Sequence, residues 1–160
     1  PTLLTGQDSA PDAMEALAHT GWDVAVRDSG PAHVDDVSEI ISVADLALVP
    51  IKPSAFDVAA TLDTIELAKD QDVPALVVLN DVNHHTQAMA KNIRATLKKR
   101  GAKVAETIVR NSVAHARAIS VGKSAAEVDG GRHKNTKDNI ETLWEEITKA
   151  VKQATRRQGK

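Results

Sequence analysis

The chain has 160 residues, a formal net charge of −2 and 42% apolar residues, which suits one globular domain with a core of its own. It contains no cysteine, so disulfides, thiolate catalysis and metal sites built on cysteine are excluded. Its apolar runs are far shorter than the roughly 20 residues that cross a bilayer, and the acidic residues Glu141, Glu145 and Glu146 of the basic last helix favour docking on the domain, so no membrane partner is expected.

Short apolar runs alternate with amphipathic segments along the chain. Helices are expected to begin at residues such as Ser9 and Pro11 and to end at glycines such as Gly21 and Gly101. Strands that alternate with helices predict an α/β fold with a largely parallel sheet, in a single domain 1–160. In chain order, the expected elements are a strand at 1–5, a helix between 9 and 21, a strand at 24–27, a helix at 35–43, a strand at 46–49, a helix at 56–69, a strand at 75–79, a helix at 87–100, a strand at 103–109, a helix or turn at 113–121, a polar basic loop at 129–138 and a closing helix at 139–155.

The charge is divided unevenly between the two halves of the sequence. Residues 1–80 carry three cations and fourteen acidic residues, whereas residues 81–160 carry seventeen cations and eight acidic residues. Such an asymmetry indicates a polyanionic partner for the basic half, 81–160. The alternative is that these cations only solvate helix faces, and both interpretations stay open at this point.

Three of the expected strands end in a polar or turn residue: Asp28, Pro50 and Asn80. Ligands of open parallel sheets bind outside the carboxyl ends of the strands. Polar residues at these ends therefore predict a nucleotide site.

A glycine-rich phosphate loop is missing from the 160 residues. Gly122-Lys123-Ser124 imitates the end of such a loop, but the position where another glycine is required is Arg117, and no strand is expected directly before it. These three residues are therefore predicted to form a turn into the next helix.

Several segments, in this order, carry a family resemblance. They are 22–31 (Trp-Asp-Val-Ala-Val-Arg-Asp-Ser-Gly-Pro), Ala44-Asp45 with Pro50, Pro53-Ser54 and Asp57, then 77–80 (Val-Val-Leu-Asn), 107–110 (Thr-Ile-Val-Arg), and 122–124 with Glu127. Together they resemble ParA-type partition ATPases, most closely the small members without an N-terminal DNA-binding domain. The resemblance covers essentially the whole chain. It implies a three-layer P-loop NTPase-like fold of the SIMIBI type, with helices on both faces of the sheet and incomplete at the N-terminus, because the phosphate loop of that family is expected upstream of Pro1.

The resemblance gives Asp28 the catalytic position of the acid that holds Mg²⁺ through water. Mg²⁺ takes few carboxylates and keeps several waters beside phosphates, which agrees with that role. Ser29 and Gly30 would form the turn that senses the γ-phosphate. The alternative for Asp28 is an acid at a strand end that caps the following turn.

Asn80 stands where the family hydrogen-bonds adenine, and an amide offers both donors and acceptors to a base edge. The alternative is a turn-forming asparagine. Val109 and Arg110 lie where the family places residues beside the base, although a proline is common at the position of Val109 and Arg110 could equally be an exposed cation. Ser54 and Asp57 are expected to cap the next helix.

The resemblance implies a partition ATPase that uses ATP and Mg²⁺, forms a homodimer with ATP, binds nonspecific DNA and works with a ParB-like centromere-binding protein. It also implies a cytoplasmic, nucleoid-associated protein of a bacterium. Two alternatives stay open: a non-catalytic DNA- or partner-binding remnant, and another deviant-Walker ATPase such as a MinD-like septum-positioning protein. The candidate DNA contacts are Arg94, Lys98, Lys99, Arg100, Arg117, Arg132, Lys134 and Lys137.

Overall fold

The computed structural model describes residues 10–29, 34–125, 127 and 134–157. The predicted strand at 1–5 and the first half of the predicted loop at 129–138 lie outside these residues. The described elements are α1 (Ala10–Ala18), α2 (Val34–Ser42), β1 (Ala47–Ile51), α3 (Ala55–Asp70), β2 (Ala75–Val82), α4 (Gln87–Lys99), β3 (Val104–Arg110), α5 (Val113–Ser120) and α6 (Lys134–Arg157).

The three strands form one parallel sheet in the order β1-β2-β3. The connections between them are α3 and α4, as expected for parallel neighbours that cannot be joined by a hairpin. The central strand β2 is covered on both faces, and its Val77 and Leu79 are fully buried. This is why its sequence is a continuous apolar run rather than an alternating one.

Helices pack on both faces of the sheet and make three layers. On one face, Ile93 and Leu97 of α4, with the apolar side of α3, pack against Val77 and Leu79. On the other face, α6 packs against the alternate side chains of β2 and β3 through Leu143, Ile147 and Ala150. The α/β class and the layered, P-loop NTPase-like arrangement are therefore as predicted.

Capping residues define two of the helix starts. The Ser54 hydroxyl accepts a hydrogen bond from the backbone N–H of Phe56 at 3.3 Å, as expected for the N-cap of α3. The Ser112 hydroxyl does the same for α5, with Ala114 at 3.2 Å. Gly101 follows α4 with φ +84°, a conformation in which a side chain would be strained.

The strand predicted at 24–27 is wrong. Residues 24–29 form neither helix nor strand, and Val26 is 83% exposed. A strand is stable only when a neighbour satisfies its backbone groups, and no described strand pairs with this segment. The free edge of β1 lies on the far side from β2 and has no strand partner within the described residues.

Three predicted boundaries also differ from the structure. Pro50 lies inside β1 rather than after it, which is tolerated because β1 is an edge strand of the described sheet. The next strand, β2, runs on to Val82, beside β3. The last helix begins at Lys134, so the second half of the predicted loop at 129–138 is helical.

The longest helix is α6, with 24 residues. Its inner side is apolar and its outer side is charged, so it lies on the sheet as an amphipathic helix. Within the described ranges, no helix is both long and apolar enough to cross a membrane.

Candidate functional site

The carboxyl ends of the three parallel strands bring polar residues to one edge of the sheet. Lys52 directly follows β1, Asn80 and Asp81 lie near the end of β2, and Asn111 directly follows β3. This edge is where open parallel sheets bind ligands.

A network centred on Asp81 joins the three strand ends. One carboxylate oxygen of Asp81 lies 3.2 Å from the Lys52 ammonium, and the other accepts a hydrogen bond from the side-chain amide of Asn111. The backbone N–H of Asn111 also donates to the carbonyl of Val82 at 3.0 Å. The Asp81 carboxylate therefore links the residues that follow β1 and β3 to β2.

The backbone at Asp81 has an uncommon conformation. Its φ is 57°, in the left-handed region, and the register between β2 and β3 shifts between Leu79 and Val82. A residue in this conformation within a strand is held by its surroundings, and here Lys52 and Asn111 supply two of the contacts. This backbone conformation at Asp81 directly follows Asn80, so it determines the direction in which the chain continues after Asn80.

The hydrogen bond from Asn111 and the contact with Lys52 hold the pKa of the Asp81 carboxyl below its usual value. The carboxylate is therefore ionised near neutral pH. The network at this edge pairs one fixed negative charge with the Lys52 cation.

The side-chain amide of Asn80 is oriented by its own chain. Its Oδ1 accepts a hydrogen bond from the backbone N–H of Asp81 at 2.8 Å. Among the described residues the Nδ2 group has no partner, so its two N–H donors are available for a ligand. The half-buried Asn80 thus offers donors at the carboxyl edge, and its role in adenine binding stays a prediction.

The two residues predicted beside the base face different surroundings. Val109 is half-buried and packs with the cluster under α6. Arg110 is exposed and lines a groove of about 400 Å³ between the outer edge of β3 and the start of α6. The groove also contains Ile108, Asp138 and Asn139.

The predicted magnesium end of the site is not assembled in the described structure. Asp28 and Ser29 are exposed, and neither has a hydrogen bond or ion pair to another described residue. Gly30 lies outside the described residues. The catalytic and metal role of Asp28 therefore stays a prediction based on the resemblance alone.

The segment 122–124 follows α5 with a turn at Gly122, and within the described residues the next helix begins only at Lys134. Gly122 has φ +64°, and both the backbone N–H and the hydroxyl of Ser124 donate to one carboxylate oxygen of Glu127, at 2.8 and 2.7 Å. These hydrogen bonds hold the pKa of Glu127 below its usual value. The N–H and hydroxyl groups of Ser124 are thus already hydrogen-bonded within the chain, and the segment is preceded by α5 rather than by a strand.

Two of the predicted DNA contacts are engaged within the fold. Lys98 lies 2.6 Å from one carboxylate oxygen of Glu106, and Arg94 lies 3.4 Å from the other. Arg94 also donates to the Glu106 carbonyl at 2.9 Å. The hydrogen bond from Lys98, its charge and that of Arg94 hold the pKa of Glu106 below its usual value.

The other predicted DNA contacts are more varied. Lys99, Arg100 and Arg117 are exposed, and Lys137 lies 3.6 Å from the Glu141 carboxylate on its own helix. Arg132 and the side chain of Lys134 lie outside what the structure describes. None of these positions is tested as a DNA contact, and all stay predictions.

Sequence reasoning missed the three residues of the network, Lys52, Asp81 and Asn111. The available signal was that each of three predicted parallel strands is followed within three residues by a polar side chain. Their mutual contacts depend on the register between strands, which composition and spacing do not give.

Comparison of the sequence with known proteins finds similar proteins. No protein-family model matches the chain. It is 26% identical over 137 residues to the maintenance of carboxysome distribution protein A of Halothiobacillus neapolitanus, covering 82% of this chain and 62% of that protein. It is also 26% identical over 145 residues to the protein of the same name from Gloeobacter kilaueensis, covering 88% of this chain and 67% of that protein. The chain thus spans about two thirds of the length of these curated relatives, and the similarity supports a relationship at the level of the ParA type.

Proposed function

We propose that this chain belongs to a ParA-type positioning ATPase and supplies its base-recognising edge and a DNA-facing surface. The observation that carries the proposal is the convergence of Lys52, Asn80, Asp81 and Asn111 at the carboxyl edge of a parallel sheet. The similarity to two carboxysome distribution proteins supports the positioning role.

The described residues fit the base end of ATP better than its phosphate end. Asn80 offers free amide donors, and the exposed Arg110 follows it on the next strand. A bound ATP would supply the bond between its β- and γ-phosphates, which is broken in ATP hydrolysis. Asp28 would hold Mg²⁺ through water, and its carboxylate makes no hydrogen bond or ion pair to another described residue.

The proposed partners are a second copy of the chain, DNA and an adaptor protein. Dimerisation with ATP and binding to nonspecific DNA follow from the resemblance, and the cations in residues 81–160 support the DNA part. The adaptor to the cargo would be ParB-like for a DNA cargo. The names of the relatives make a carboxysome the alternative cargo.

The test is adenine binding at Asn80. We expect Asn80→Ala to weaken binding of a fluorescent ATP analogue by about tenfold, since losing the hydrogen bonds to one base edge is worth about 1.4 kcal/mol. The matched control is Asn92→Ala, an exposed asparagine on α4. Equal affinities of the two variants would overturn the assignment of Asn80.

A second function is a non-catalytic binding module, and one observation favours it. The 160 residues contain no phosphate loop, and the nearest imitation, 122–124, is a turn held by Glu127. This alternative predicts DNA binding with no release of phosphate from ATP above the buffer rate. ATP hydrolysis that depends on both DNA and Mg²⁺ would exclude it.

A further inference from the structure

The outer face of α6 changes from acidic to basic along the length of the helix. Its first half carries Glu141 and Glu145, and its second half carries Lys149, Lys152 and Arg156, all exposed. The inner residues Leu143, Ile147 and Ala150 are packed against the sheet, which fixes the charged residues on the outside. The second half of α6 is thus a basic surface on a helix whose inner side is packed against the sheet.

This basic surface continues onto the amino edge of the sheet. Lys103, which precedes β3, lies 3.4 Å from the Gln153 side chain through its ammonium group. Lys99 and Arg100, at the end of α4, are exposed and only a few residues before Lys103. We call the following set the amino-edge surface: Lys99, Arg100, Lys103, Lys149, Lys152 and Arg156.

The cations of the amino-edge surface differ from Arg94 and Lys98 in their partners. Arg94 and Lys98 share the Glu106 carboxylate, so much of their charge is neutralised within the fold. Within the described part of the chain, Lys149, Lys152 and Arg156 form no ion pair. Glu145 lies in the same shallow groove, but it is one carboxylate against these three cations.

An aromatic side chain lies next to these cations. Trp144 is 48% exposed and lines the same groove as Lys149 and Lys152. Its fluorescence can report contact at this surface directly. The chain has one other tryptophan, Trp22, which can be replaced to leave Trp144 as the only reporter.

We propose that the amino-edge surface, centred on Lys149, Lys152 and Arg156 of α6, is where the chain contacts the phosphate backbone of duplex DNA. This inference rests on the proposed function and adds the residues and the place of contact. The amino edge lies at the opposite end of the strands from Asn80 and Asp81. DNA and nucleotide therefore occupy opposite ends of the sheet and do not compete for space.

If the same residues had only a structural role, the expected result would differ. Cations near the C-terminus of a helix interact favourably with the helix dipole and so stabilise the helix. If this were their only role, their replacement would lower thermal stability and leave DNA affinity unchanged. The experiment therefore records both quantities.

The test uses fluorescence anisotropy of two labelled duplexes of unrelated sequence, titrated between 50 and 200 mM salt. The test variant is Lys149→Glu/Lys152→Glu/Arg156→Glu. The control variant, Lys69→Glu/Lys91→Glu/Lys123→Glu, makes the same change of net charge at exposed lysines outside the surface. Circular dichroism checks that both variants remain folded, and the milder Lys152→Gln/Arg156→Gln variant is measured in parallel.

We expect the test variant to lose at least about tenfold in affinity for both duplexes, with a salt slope smaller by about 0.9 for each lost phosphate contact. The control is expected to change by less than about threefold, and Trp144 fluorescence in a Trp22→Phe background is expected to change on DNA addition. Equal losses of affinity in the test and control variants would overturn the assignment of this surface as the DNA contact, and so would a folded milder variant with an unchanged salt slope. Neither result would contradict DNA binding by the chain. No DNA binding by the unaltered chain at 50 mM salt would instead overturn the DNA part of the proposed function.

Discussion

Glu146 of α6 acts as a substitute strand partner for the outer edge of β3. Its carboxylate accepts hydrogen bonds from the backbone N–H groups of Glu106 and Thr107, both at 2.8 Å, and from the Thr107 hydroxyl. Edge strands leave such N–H groups unpaired unless something covers them. We predict that Glu146→Ala destabilises the fold through this contact.

The magnitude follows from the burial of Thr107. Thr107 is only 8% exposed, so its donors lose their partner without ready access to water, whereas Glu106 is exposed and can be solvated. A buried donor left unsatisfied costs about 1–3 kcal/mol, so two such donors give a loss of about 2–6 kcal/mol. For a domain of this size, where 1 kcal/mol corresponds to about 2–4 °C, that lowers the melting temperature by roughly 4–24 °C.

The assay is thermal and denaturant unfolding followed by circular dichroism. Glu145→Ala is the control, because Glu145 is exposed and has no described hydrogen bond; its effect should stay within about 0.5 kcal/mol. Glu146→Gln keeps one acceptor oxygen, so its free energy of unfolding should lie between those of the Glu146→Ala and Glu145→Ala variants. A Glu146→Ala variant as stable as the Glu145→Ala variant would refute the reasoning.

Three further predictions concern the core, a cap and the Asp81 network. Leu97→Ala, at a fully buried position between α4 and the sheet, should cost about 2.7–5 kcal/mol in denaturant unfolding; a loss below 1 kcal/mol would contradict the packing. Ser54→Ala removes the N-cap of α3 and should cost about 1 kcal/mol, whereas the exposed Ser120→Ala should change stability little; equal effects would argue against the cap. The Asp81 pKa is lowered in the folded state, so its contribution to stability is present above the unfolded pKa of about 3.9 and is lost as the pH falls through the folded pKa. The stability difference between the unaltered chain and Asp81→Asn should therefore be present at neutral pH and fade below about pH 4; a difference that does not change with pH would contradict the network.

Local pattern predicted the sheet and its helices well, and it failed where distant residues decide the outcome. Buried parallel strands are apolar runs, so β1, β2 and β3 could be read directly from sequence. The segment 24–27 has the same pattern, but it pairs with no described strand, and a strand cannot be judged without its neighbour. Pro50 is tolerated because β1 is an edge strand of the described sheet, a fact that the sequence does not contain.

The candidate site shows the same division. Asn80 was predicted as a polar strand end, and the structure places it at the carboxyl edge. The contacts of Asp81 with Lys52 and Asn111 span 29 and 30 positions along the chain and depend on strand register. The pairing of Arg94 and Lys98 with Glu106 across α4 and β3 is likewise non-local, so all basic residues of the second half looked equivalent in the sequence.

The most direct test of the central claim is a two-dimensional NMR titration of the chain with ATP at millimolar concentration, with GTP as the comparison. The base-recognising edge predicts that shifts concentrate at Asn80, including its side-chain amide, and at Arg110 and Asn111, with smaller shifts for GTP. Residues of the amino-edge surface should stay unchanged at moderate salt. Shifts confined to that surface, or of equal size with both nucleotides, would contradict the account.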